Sequence, residues 1–209
     1  MLELLAVSGF GTLVGMRHAL EPDHLAAVTT MVSREQSGRR AALLGVCWGL
    51  GHTTALIAAG AVLILAQRQM PARATMVFEL LVAAMLIGLG ARAVGQAWGR
   101  TSLLISPSEG VYDPYFRPLL VGMAHGLAGS GALTALVLTT LPTLGARLTF
   151  VALFGVTSTL SMAAASGLLG WPLARLGTRH IVTRSVTLAV GVGSALLGIV
   201  WGGSALRGF

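Results

Sequence analysis

Residues 17–24 read Arg-His-Ala-Leu-Glu-Pro-Asp-His, and His18, Glu21, Asp23 and His24 all carry side chains that can bind a metal ion. Two imidazoles beside a carboxylate suit borderline divalent ions such as nickel, cobalt, zinc or copper, whereas magnesium and calcium want cages of oxygen. Spacing decides whether they can share one ion. At about 100° per residue, an unbroken helix would carry Asp23 about 140° and His24 about 240° round from His18, so the three would diverge. Pro22 removes that obstacle, because proline is tolerated at the first position of a helix and breaks one further in. The helix is expected to stop near Leu20 and restart at Pro22, with Asp23 in the new first turn, where a carboxylate is favoured. Arg17 stands one turn before Glu21 and is expected to neutralise it.

A third imidazole comes from His52 in Trp-Gly-Leu-Gly-His-Thr-Thr, residues 48–54. The candidate metal ligands are therefore His18, Asp23, His24 and His52. Arg17, Glu21, Glu79, His125, Ser130 and Ser158 are candidates for transit or supporting roles. His180 falls in an arginine-rich loop, and Glu109 and Asp113 in a polar connection, so these three read as solvated.

The elements that must position these groups belong to a membrane. Of 209 residues, 55% are hydrophobic and 10% charged, against about a quarter charged in soluble domains. Stretches without Asp, Glu, Lys or Arg cover residues 41–66, 118–146, 148–174 and 185–206. Each exceeds the roughly 20 residues that a spanning helix needs. Two further spans are interrupted by charge, about 4–33 with the opening motif and about 76–98 with Glu79, which makes six. The apolar N-terminal segment reads as a retained first helix and not a removed signal peptide.

Ionisable groups inside such spans are costly enough to be functional by default, and four of the five histidines lie there. A single cysteine, Cys47, excludes an internal disulfide and a CxxC redox pair. All 14 basic residues are arginine, so no lysine is present for an ATP-binding phosphate loop. The +7 charge reflects loops and not a nucleic-acid surface. Nine of those arginines follow spans one, three and five and four lie on the opposite side, which places both termini outside the cytoplasmic membrane.

The chain also repeats itself. Gly-Met-x-His recurs at residues 15–18 and 122–125, an offset of 125 − 18 = 107, and residues 48–54 match 154–160 at an offset of 106. Three spans per repeat force the second copy to enter from the opposite side, the inverted plan of secondary transporters. The expected fold is thus an all-α integral membrane protein with six transmembrane helices in a 3+3 inverted repeat. Residues 1–209 form one transmembrane domain, with half-repeats about 1–98 and 117–209 joined by a linker at about 99–116. The first span breaks at Pro22, and the glycines of His-Gly-Leu-Ala-Gly-Ser-Gly, residues 125–131, are expected to break the fourth. Glycine pairs Gly11/Gly15, Gly45/Gly49, Gly95/Gly99 and Gly198/Gly202 suit close helix packing in lipid.

Arg17-His18, four residues, then Asp23-His24 resembles the signature helix of the nickel/cobalt permease family. Leu50-Gly51-His52-Thr53 is similar to its second motif, and the run from His125 to the short branch known as urease-accessory nickel permeases. Glu21-Pro22 stands where that family more often has Asp-Ala, and the acidic motifs of the longer members' later helices are missing. The resemblance covers most of the chain. It implies a secondary transporter with no cofactor, taking up Ni2+ or Co2+ as substrate on the histidines and aspartate of the first motif, with a functional link to a nickel enzyme such as urease or hydrogenase. An exporter of small organic or inorganic solutes on the same scaffold would leave the His/Asp cluster unexplained. An intramembrane serine protease of the rhomboid type would use Ser130. Leu127 replaces the glycine that its nucleophile turn needs, and residues 185–206 hold no histidine to activate the serine.

Overall fold

Lipid offers no partner to a backbone N–H or C=O, so apolar runs of this length close their hydrogen bonds within helices. The computed structural model describes residues 2–32, 35, 37–99, 115–176 and 180–207. Among these it contains seven helices and no strand: α1 (Leu2–His18), α2 (Pro22–Val32), α3 (Gly38–Leu65), α4 (Ala72–Ala97), α5 (Phe116–Thr140), α6 (Leu144–Leu176) and α7 (His180–Arg207). Four of them, α3, α4, α6 and α7, are long and apolar enough to cross a membrane.

The interruption between α1 and α2 falls where Pro22 requires it. The Leu20 and Glu21 amides donate to the Arg17 and His18 carbonyls, at 3.0 and 3.1 Å, a tight i→i+3 turn that ends α1. The Leu25 amide donates to the Glu21 carbonyl at 3.0 Å and starts α2, with Pro22 at its first position, where no N–H is needed.

Packing is set by small residues. Across the α3–α6 contact, Thr53 Oγ1 donates to the Gly155 carbonyl at 2.9 Å and Thr159 Oγ1 donates to the Gly49 carbonyl at 3.1 Å. The two hydroxyls lie 2.8 Å apart. In α4 and α7, Gly90 and Gly191 face each other backbone to backbone, and Ser194 Oγ donates to the Leu86 carbonyl at 3.0 Å. Helix α1 lies on α6 through Gly11 against Phe150 and Gly15 against Phe154, and α5 lies on α3 through Gly122 against Trp48 and Gly126 against His52. One buried apolar cluster centres on Phe150, Phe154, Leu56 and Val137, and a second on Trp48, Met162, Leu86 and Val28.

Three expectations change. The fourth span is not broken: α5 runs without interruption through Gly126, Gly129 and Gly131. A helical glycine costs about 1 kcal/mol where proline costs about 3, and here Gly122 and Gly126 let two backbones touch. Gly99 is not a packing residue either. It follows α4 with φ 71°, the left-handed position at which glycine ends helices. His180, expected in a loop, is the first residue of α7. Glu109 and Asp113 lie outside the described residues.

Candidate metal site

The break between α1 and α2 brings together groups that one helix would have splayed. His18 is the last residue of α1, while Asp23 and His24 occupy the first turn of α2. His52 enters from the middle of α3 and His125 from α5. Asp23, His24, His52 and His125 are all buried, and His18 is partly so.

Three imidazole nitrogens converge. His52 Nε2 lies 3.2 Å from His18 Nε2 and 3.4 Å from His24 Nε2, and the three lie within 4.8 Å of one another. Metal–nitrogen bonds of about 2.0–2.1 Å at tetrahedral angles separate donor nitrogens by about 3.3–3.4 Å, so this spacing suits a single ion.

Behind the imidazoles stand the acids. His18 Nδ1 lies 3.0 Å from Glu21 Oε2, and His24 Nδ1 lies 3.1 Å from Asp23 Oδ1. The second Asp23 oxygen, Oδ2, lies 2.7 Å from His125 Nε2. An ionised carboxylate only accepts, so each of these ring nitrogens donates its proton. For neutral rings of His18 and His24, the Nε2 lone pairs are then bare and face His52. Asp23, His24 and His125 form a second triad within the same 4.8 Å limit.

A cavity of about 350 Å³ opens on this cluster. His18, Glu21, Asp23, His24 and His125 form its polar end, and it reaches past Glu79 on α4 and Trp201 on α7. Leu133, Leu136 and Phe154 supply much of the apolar wall. Trp48 backs the site, with its ring centroid 5.4 Å from His24 and 5.9 Å from His125.

The structure thus brings His18, Asp23, His24 and His52 into one cluster and adds His125. Glu79 lines the cavity. Arg17 also lines it, yet it makes no ion pair with Glu21 among the described contacts, contrary to expectation. The chain leaves the helix at Ala19, so the i,i+4 register that would have joined them is lost, and Glu21 turns to His18 instead. Ser158 is fully buried on α6 with its hydroxyl unpartnered, but it is not part of the cavity wall. The side chain of Ser130 lies outside the described part, although its neighbours Ala128 and Gly129 line the cavity. Trp48 escaped the sequence reading because no local pattern marks the backing of a site. His125 was legible through the Gly-Met-x-His repeat and as an ionisable group inside a span.

The urease accessory protein UreH of Bacillus sp. (strain TB-90) is 30% identical to this chain over a 206-residue alignment, which covers 94% of this chain and 90% of that protein. No family model matches the chain, and no solved structure matches it.

Proposed function

This chain belongs to the family of the urease accessory protein UreH, and from that premise we propose that it is a multi-pass membrane permease for nickel, or cobalt, in its divalent form. One observation carries the reading: the Nε2 atoms of His18 and His24, two residues that line a cavity, meet that of His52 at 3.2 and 3.4 Å. Three imidazoles with one position left open make a site that binds a borderline cation yet can release it. Ni2+ or Co2+ is the cargo here. The relative's name ties it to urease, and we propose that this chain feeds a nickel enzyme of that kind.

The helices are best read as six spans in a 3+3 inverted repeat, with α1 and α2 together forming the first. Half-repeats of about 1–98 and 117–209 would then be related by a two-fold axis in the membrane plane. The reciprocal bonds of Thr53 and Thr159 to Gly155 and Gly49 support this, because 155 − 49 and 159 − 53 both equal the 106-residue offset of the repeat. Under the arginine bias, the cavity end near Glu79 and Trp201 faces outward with the termini, the orientation that uptake needs.

Uptake of Ni2+ by cells expressing the chain tests the proposal. His24→Ala is expected to abolish uptake while the purified protein stays monodisperse, since it removes one of three ligands. Wild-type uptake by that variant would overturn the assignment.

A further inference from the structure

The acids of the opening motif are obvious candidates for the ion's remaining ligands, yet their oxygens are already engaged. Asp23 Oδ1 accepts from His24 Nδ1 at 3.1 Å and Oδ2 accepts from His125 Nε2 at 2.7 Å. Turning either oxygen onto an ion would leave a buried imidazole N–H without an acceptor. Glu21 repeats the arrangement on His18 Nδ1 at 3.0 Å. Both acids therefore sit on the far side of an imidazole from the point where three Nε2 atoms meet.

We infer that Asp23 is a positioning residue and not a ligand, orienting His24 and tying it to His125 while the ion rests on Nε2 of His18, His24 and His52. This deepens the metal-permease reading and rests on it. The carboxylate fixes the tautomer of His24, leaves its Nε2 lone pair bare and raises its basicity, as outer-shell carboxylates do for metal-bound imidazoles. The link to His125 anchors the start of α2 on α5. His125 itself is no ligand here: its Nε2 proton goes to Asp23, and its Nδ1 is buried without a partner.

That unpartnered Nδ1 makes the proposal testable with a conservative change. In Asp23→Asn, the amide oxygen can still accept from His24 Nδ1. The amide NH2 then needs a lone pair, which His125 supplies by moving its proton from Nε2 to Nδ1; the number of hydrogen bonds is kept, and the one buried position already without a partner changes from a lone pair to an N–H. Leucine can do neither.

The full-length protein in detergent, titrated with Co2+, distinguishes the roles, because visible Co2+ bands report the coordinating atoms. Asp23→Leu is expected to weaken Co2+ binding by about 10–100-fold, the usual effect of losing an outer-shell partner. Asp23→Asn should recover most of that loss with the wild-type band positions, and His125→Ala should keep those positions too. Should Asp23→Leu not fold, the bands of the other two variants carry the test. Shifted bands in Asp23→Asn or His125→Ala would place Asp23 or His125 on the ion and overturn this assignment alone. A wild-type protein that binds neither Co2+ nor Ni2+ would overturn the permease reading and this inference with it.

Discussion

An imidazole binds a metal only while its lone pair is bare, and the three that converge here compete for the ion with protons. An unperturbed imidazole takes a proton near pH 6.5, and each proton bound must leave before the nitrogen can ligate. Ni2+ affinity of the wild type is therefore expected to weaken as the pH falls and protons displace the ion. Calorimetric titrations carried down through the acid range in which the protein stays folded check this, and an affinity indifferent to added protons throughout would remove the histidines as ligands. At the same scale, His18 and His24 each keep an acid on Nδ1, at 3.0 and 3.1 Å, so the two rings of the broken turn present the same face to His52.

Between elements, the site depends on how closely α5 lies on α3. A Cβ at Gly126 would run into the carbonyl of His52, one of the proposed ligands. Gly126→Ala should push the helices apart at that point, cost about 1–3 kcal/mol as overpacking does, and displace His52 from the other two imidazoles. We expect a lower melting temperature together with weaker Ni2+ binding. Gly193→Ala on α7 is the control, since nothing lies within 4 Å of the added carbon, and there the better helix propensity of alanine should leave the protein as stable or slightly more so. Melting curves with and without Ni2+ separate the two, and equal behaviour would show that the α3–α5 approach does not govern the site.

At the scale of the molecule, the two triads of ligating groups found among the described residues share His24, and a neutral imidazole can give only one nitrogen to a metal. One ion per chain is therefore the expected stoichiometry, and two comparable sites in a Ni2+ titration would contradict it. The proposed inverted arrangement, read with the arginine bias, also commits the chain to an orientation. With Cys47 replaced by serine, a cysteine at exposed Ser204 near the end of α7 should react with an impermeant maleimide added to intact cells, and one at exposed Arg39 near the start of α3 should not. The opposite labelling pattern would invert the topology and turn the cavity toward the cytoplasm.

Sequence by itself determined what depends on neighbours along the chain. Long uncharged runs must be helices in lipid, Pro22 must end one helix and begin another, and His18, Asp23 and His24 can approach one another only at such a break. His52 as a candidate third imidazole was also legible, from the cost of a polar group in a span and its resemblance to the family's second motif. Tertiary structure decided everything that depends on which helix lies opposite. Glycines 126 and 129 looked like breaks because flexibility is a local property, yet packing against α3 uses Gly126 for close approach within a continuous helix. Arg17 was in register with Glu21 only on a helix that the chain abandons at Ala19, so Glu21 turned to His18. Asp23 could not be separated from the ligands by spacing, because its second partner, His125, is 102 residues away and meets it only through the packed bundle.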